Sequence, residues 1–248
     1  MLDEKDKTMQ IEGKNAVRQT LNGGITINKL LVDKNLAGKN DEIIALANSL
    51  RVKIEFLPKM VLDKKSTTAH HQGFIADAVE FEYCELEDII DQARNAENQP
   101  FVVLLDGIED PHNFGAIIRS CECAGVDGIV IPKNRACQVN DTVIKTSTGA
   151  IANMLIARVT NLKEAIDFFK NNNVWVYAAE ADGQDLYSLD LPNAGIGVVI
   201  GSEGFGVKPS IKKYCDGVIS LPLRGKVNSL NASVACGIIA FEIAKKLR

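Results

Sequence analysis

The chain has 248 residues, 46% hydrophobic and 24% charged, the make-up of an ordinary soluble globular protein with room for one large domain or two small ones. No apolar run reaches the ~20 residues of a membrane-spanning helix, and the polar, charged opening residues are no secretory signal. A net charge of −4 argues against nucleic acid, but the acidity is local: residues 81–100 carry six Asp/Glu against one Lys/Arg, 1–80 eleven against twelve, and 101–248 fifteen of each.

In chain order, residues 1–10 read as a loose tail. Residues 11–21 read as a short helix, with Ala16, Val17 and Leu21 inward and Gly23-Gly24 stopping it. A strand over 25–32 follows, then a helix over 42–50 capped by Asp41, a strand over 52–57, a short helix opened by Pro58 and a strand over 73–79. These make a small α/β domain over 1–80. Residues 81–100 read as an acidic linker with a surface helix over 86–96, closed by Pro100. The pattern then changes. Residues 101–105 are continuously apolar, as a central parallel strand requires. Helices are expected over 115–124, 142–148, 162–169, 209–214 and 230–247, and strands over 128–131, 154–159, 174–179, 197–200 and 218–221. In the last helix Leu230, Val234, Ile238 and Phe241 share one face. Strands alternating with helices imply an α/β domain over 101–248 with a mostly parallel sheet covered on both sides.

The six cysteines (Cys84, Cys121, Cys123, Cys137, Cys215 and Cys236) form no Cys-x-x-Cys pair, and only His70, His71 and His112 could supplement them. Free thiols in a cytoplasmic protein without a metal are expected. Asn113 stands near the start of a helix, where capping is its simplest role, and Arg119 lies six residues on in an apolar stretch. His112 reads as polar surface more readily than as a general base. Glu203 sits in a glycine turn, Gly201-Ser202-Glu203-Gly204, after a buried strand. That turn is not the dinucleotide fingerprint, which belongs after the first strand, so a dehydrogenase is disfavoured. Asn228, Ser229, Asn231 and Ser233 crowd the start of the last helix, more polar groups than one cap needs. Thr148 and Gly149 read as a helix end.

Three segments taken together, Asn113 through Arg119, Gly201-Ser202-Glu203-Gly204, and Leu221-Pro222 through Ser229-Leu230-Asn231-Ala232-Ser233-Val234-Ala235, resemble the three motifs of the SpoU (TrmH) family of RNA ribose 2′-O-methyltransferases. Glu12-Gly13-Lys14-Asn15-Ala16-Val17 and His71-Gln72-Gly73 resemble its L30e-like substrate-binding domain, and the chain as a whole is most similar to the branch that methylates a guanosine of 23S ribosomal RNA. The resemblance implies an α/β-knot (SPOUT) catalytic domain, with the segment from about Gly217 threaded into a C-terminal trefoil knot against the usual rule. It also implies S-adenosylmethionine as cofactor, bound by Gly201, Leu221 and Leu230 and bordered by Thr148 and Gly149. Further implications are a homodimer with the site near the subunit interface and a structured RNA partner.

The implied reaction is attack of a ribose 2′-hydroxyl on the sulfonium methyl. Positioning supplies much of the catalysis, because the leaving thioether is neutral. The family's accounts make the residue at Arg119 the base. A guanidinium stays protonated above pH ~12, so we assign Arg119 instead to the RNA phosphate or the developing alkoxide. Asn113, Glu203, Ser229 and Asn231 orient the reactants, with Glu203 an alternative proton acceptor. Lys14, Arg18, Lys64 and Lys65, with Lys29 and Lys59, are candidate phosphate contacts, each also readable as an ordinary solvated cation. The competing functions are methylation of transfer RNA, a methylation of ribosomal RNA that confers antibiotic resistance, and a non-catalytic RNA-binding role in ribosome assembly. The last has no need of all five residues Asn113, Arg119, Glu203, Ser229 and Asn231.

Overall fold

The computed structural model describes residues 8–22, 27–39, 41–79, 81–227 and 229–247. Residues 1–7 of the tail expected over 1–10, the Gly23-Gly24 stop, Ile25 and Asn228 lie outside them. The chain divides into two compact units: residues 1–82 together with 139–152, and residues 83–138 together with 153–248.

The first unit is built on a four-stranded sheet ordered β1-β4-β2-β3: β1 (Thr8–Glu12), β2 (Ile27–Asp33), β3 (Lys53–Leu57) and β4 (Phe74–Val79). β4 runs antiparallel to both β1 and β2, and β3 lies parallel to β2 at the edge. The helices are α1 (Lys14–Asn22), α2 (Glu42–Ser49) and α3 (Lys59–Lys65). β1 was expected to be tail and the first turn of a helix. Pairing with β4 overrides that reading, burying Ile11, and Gly13 at φ +97° breaks the chain between β1 and α1. Asp41 caps α2 as expected, its side chain accepting from the Ile43 N–H. α6 (Asp141–Ser147) groups with this unit and packs on α1, where a contiguous second domain was expected.

The loop between α3 and β4 is pinned by one carboxylate. Burial pushes the Glu12 carboxyl up, but hydrogen bonds from Ser66, Thr68 and Thr67 outweigh it and hold the group far below the carboxylate range. A depressed folded pKa gives stability that is present above the unfolded value and lost as pH falls. The first unit should therefore weaken as pH falls below the ordinary value of 4.5, and Glu12→Gln should flatten that dependence. Acid unfolding monitored by circular dichroism checks both, and unchanged acid sensitivity in the variant would refute the assignment.

The second unit holds a six-stranded, all-parallel sheet ordered β10-β8-β9-β5-β6-β7. Its strands are β5 (Phe101–Asp106), β6 (Gly128–Pro132), β7 (Leu155–Val159), β8 (Val174–Asp185), β9 (Gly195–Gly201) and β10 (Gly217–Ser220). Its helices are α4 (Leu86–Asn95), α5 (Pro111–Ala124), α7 (Leu162–Asn171), α8 (Pro209–Lys212) and α9 (Ala232–Leu247). α4 and α7 pack on one sheet face with Ile89, Ile90, Ile166 and Phe169 among Val102, Leu104, Val176 and Val199. α5 and α9 pack against each other, and α9 reaches β9.

One expectation needs correction here. The acidic stretch is no linker: α4 belongs to the core, and a side chain at Gly128 would come within 2.6 Å of Ile89. Its acids occupy the outer face, so composition masked an amphipathic helix. Val234, Ile238 and Phe241 of α9, with Leu230 just before it, share one face as expected and that face is exposed, while Cys236, Ile239, Ala240 and Ile243 are buried. Both faces of that helix are apolar.

Candidate active site

The chain order reverses between β5 and β9, whose last residues Asp106 and Gly201 are paired across the sheet. The carboxyl ends of strands at such a switch point form a crevice. Here the crevice is walled by the loops after β5, β9 and β10. Buried Asp106 anchors its floor, accepting from the Lys208 backbone N–H at 2.9 Å and pairing with the Lys208 ammonium.

α5 starts four residues earlier than expected, because Asp110 is its cap and Pro111 its first residue. The Asp110 side chain accepts from the His112 and Asn113 N–H groups. Asn113 is therefore not the cap, and its side chain is free for other work. Its Nδ2 donates to Glu203 Oε1 at 3.0 Å, and its Oδ1 accepts from Asn231 Nδ2 at 2.9 Å. Asn231 caps α9 with its own Oδ1, which accepts from the Ser233 N–H at 3.0 Å, and its Nδ2 also donates to Glu203 Oε1. The Ala232 N–H donates to the same carboxylate oxygen at 3.3 Å. Asn113, Glu203 and Asn231, which the sequence singled out separately, thus form one cluster. Glu203 Oε1 takes three donors, while Oε2 accepts from none of the described residues.

Beside the cluster is a cavity of about 380 Å³. Gly201, Leu221, Leu230 and Ser229 line it together with Glu203, over an apolar base of Ile200, Ile219 and Ile239. One wall comes from a bulge. The register of β10 on β8 jumps from Val218↔Ala178 to Ile219↔Gln184, pushing Ala179, Glu180 and Ala181 into the cavity wall. β10 then crosses Gly183 so closely that a side chain there would lie 2.5 Å from the Ile219 backbone. Glu180 accepts from the Val207 N–H and so ties the bulge to the glycine turn.

The remaining candidates lie elsewhere. Arg119 is exposed on α5, lines neither this cavity nor a second recess between Gly107–Asp110 and the Glu203 turn, and makes no hydrogen bond or ion pair among the described residues. His112 is exposed and also lines neither. Thr148 closes α6 in the left-handed conformation at φ 51°, and Gly149 follows at φ +91°, so both are a helix end in the first unit and outside the cavity lining. Lys14 pairs with Asp41 at 2.8 Å and Arg18 with Glu42 at 3.8 Å, whereas Lys64 and Lys65 end α3 without an ion pair among the described residues. The segments Glu12–Val17 and His71–Gly73 adjoin, the Lys14 N–H donating to Gln72 Oε1 at 3.1 Å. All six cysteines are unbridged, and burial pushes Cys84 and Cys215 up to about 11, too high for a nucleophilic thiolate at neutral pH. Among the described residues no cluster could hold a metal, and no helix is long and apolar enough to cross a membrane. The sequence reading passed over Asp110, Glu180 and Phe205. Asp110 was findable from its Asp-Pro signature, whereas Glu180 was hidden inside a strand.

Comparison with known proteins gives this arrangement its context. Residues 100–241 match the model of the SpoU rRNA Methylase family, and residues 10–84 match that of RNA 2′-O ribose methyltransferase substrate binding. The chain belongs to the SpoU (TrmH) family of RNA methyltransferases. YacO of Bacillus subtilis, named as a TrmH family tRNA/rRNA methyltransferase, is 42% identical over 235 residues, 94% of each chain. A Staphylococcus saprophyticus protein of the same description is 39% identical over 95% of each. Among solved structures, the SpoU methyltransferase AviRb of Streptomyces viridochromogenes in complex with AdoMet superposes with a TM-score of 0.79 at 21% identity, covering 96% of this chain and 90% of that one. An AdoMet-bound rRNA methyltransferase of Sinorhizobium meliloti gives 0.75 at 22% identity, covering 99% and 90%. The α/β fold with its parallel sheet is the SPOUT fold of these family structures.

Proposed function

We propose that the protein transfers a methyl group from S-adenosylmethionine to a ribose 2′-hydroxyl of RNA in the cytoplasm, with a guanosine of 23S ribosomal RNA as the target. The observation that carries this reading is the Asn113–Glu203–Asn231 cluster at the rim of the cavity, because it sets fixed hydrogen-bonding groups beside a space of ligand size. The cavity residues suit the cofactor. Leu221, Leu230 and Ile239 offer apolar surface for an adenine, and the Glu180 and Glu203 carboxylates complement a cation. When bound, the cofactor supplies an electrophilic methyl whose departure leaves a neutral thioether.

Asn113 and Asn231 clamp Glu203 Oε1 and thereby fix the plane of the carboxylate. The uncommitted Oε2 accepts the hydrogen bond of the attacking hydroxyl and receives its proton or passes it to water. Ser229 orients the ribose. Arg119 holds the adjoining phosphate or the developing alkoxide. Lys64 and Lys65, at the exposed end of α3, steer the RNA backbone, and Lys14 and Arg18 add to this where their ion pairs exchange for phosphate. The C-terminal trefoil knot belongs to the same reading. It is supported by the resemblance of the segment from Leu221 to Ala235 to the family's third motif and by the likeness of the fold to the SpoU methyltransferase structures.

The homodimer is part of the proposal as well. Val234, Ile238 and Phe241 form an apolar face on α9 that no described residue covers, and a second copy would bury it. Ile238→Glu should yield a monomer in analytical ultracentrifugation. A dimer of unchanged strength would place the interface elsewhere.

The deciding experiment offers labelled S-adenosylmethionine with unmodified ribosomal and transfer RNA in separate reactions. Incorporation into 23S RNA, mapped to a guanosine 2′-oxygen, is expected. Incorporation into transfer RNA alone would replace the substrate, and RNA binding without cofactor binding would leave a ribosome-assembly role.

A further inference from the structure

We propose that Phe205 is the stacking surface for the base of the target nucleotide, in a recess distinct from the cofactor cavity; this rests on the RNA-methylation reading above. The turn Ser202–Gly206 is a partition with a cavity on each side. On one side is the 380 Å³ cavity, and on the other a recess of about 290 Å³ lined by Gly107, Ile108, Glu109 and Asn113. Ser202, Glu203 and Phe205 line both.

In-line transfer requires the attacking oxygen to approach the methyl from the side opposite its sulfur. With the donor in the larger cavity, the nucleoside must therefore come from the recess side, its ribose at Glu203 and Asn113. Its base then needs a surface, and no aromatic side chain other than Phe205 lines either cavity among the described residues.

The ring is 92% exposed, the most exposed of the large apolar side chains described. It stands on a rigid support. The Gly206 N–H donates to the Ser202 carbonyl at 2.9 Å, Gly204 and Gly206 hold positive φ, and Glu180 grips the next N–H, that of Val207. A bare phenyl on a fixed turn contributes nothing to the core. It does match the way proteins hold splayed-out RNA bases, by stacking on an aromatic face that any base can satisfy.

The test uses the full chain, S-adenosylmethionine and the RNA that accepts methyl. Phe205→Ala should raise the KM for RNA on the order of tenfold to a hundredfold, with kcat nearly unchanged, a smaller loss of cofactor affinity, and recovery in Phe205→Tyr. A direct readout comes from Phe205→Trp combined with Trp175→Phe, which moves the chain's one tryptophan to the turn. RNA should quench its emission, and S-adenosylhomocysteine alone should not. Quenching by S-adenosylhomocysteine alone would put the ring on the cofactor and overturn the proposal. Methyl transfer by the wild type with neither a KM change nor quenching would overturn it too. RNA-dependent quenching in a protein that transfers no methyl would sink the reaction and keep the stacking contact.

Discussion

Arg119→Ala is expected to slow methyl transfer on the order of 10²–10³-fold while leaving thermal stability and cofactor affinity unchanged. Arg119 is exposed and unpaired among the described residues, so its loss removes no structural interaction. Surface substitutions of that kind usually stay within about 0.5 kcal/mol. Its proposed work begins only when charge develops on the ribose oxygen or when RNA is bound. Arg119→Lys should recover part of the rate, because it keeps the charge and loses the planar fork. The residue lines neither cavity of its own chain, yet α5 packs on α9, whose outer face is the proposed dimer surface. If it acts across that interface, mixing Arg119→Ala with Glu203→Ala chains should restore some activity through mixed dimers, whereas action within one chain predicts none. A wild-type rate for Arg119→Ala would remove the residue from the mechanism.

Gly201→Ala should abolish cofactor binding and destabilise the protein by about 1–3 kcal/mol, a fall in melting temperature of roughly 2–12 °C. A side-chain carbon at Gly201 would lie 2.0 Å from the Gly206 carbonyl carbon and 2.2 Å from the Val207 nitrogen. Both obstacles are backbone and cannot rotate away. The turn that carries Glu203 and walls both cavities would have to open. Gly204→Ala is the control: nothing lies within 4 Å of the added carbon there, and only the strain of φ +83° opposes it. A milder loss of stability with cofactor binding retained is expected. Calorimetry and cofactor titration on the two variants check the pair, and equal behaviour would mean that close packing at Gly201 is not what shapes the turn.

Local signals were legible where local physics decides. Asp41 was readable as a cap, and the apolar run 101–105 as a buried strand, because each depends on its own neighbours. β1 was not, since the strand it pairs with, β4, lies more than sixty residues on. Asn113 was open to two readings, cap or site residue; the Asp110-Pro111 pair just before it takes the cap, and its side-chain partners Glu203 and Asn231 are 90 and 118 residues away. α9 carries apolar residues on two faces, so periodicity groups the outer stripe but does not say which face is buried. The candidate site divides in the same way. Gly201, Leu221, Leu230, Ser229 and Glu203 meet at one cavity because β9 and β10 end there on either side of the bulged β8, an outcome of topology that no single segment encodes.

The tie between Asn113 and Asn231 also sets a clock on biosynthesis. The two residues are 118 positions apart, and Asn231 is fixed only as the cap of α9. At ~5–20 residues per second, a ribosome needs about 6–24 s to pass from one to the other. During that interval Asn113 has emerged but lacks its partner, and Glu203 lacks the helix terminus that binds its oxygen. No nascent chain that stops before α9 can hold the complete cluster, so the cluster closes in one step once α9 is made and not gradually along the way.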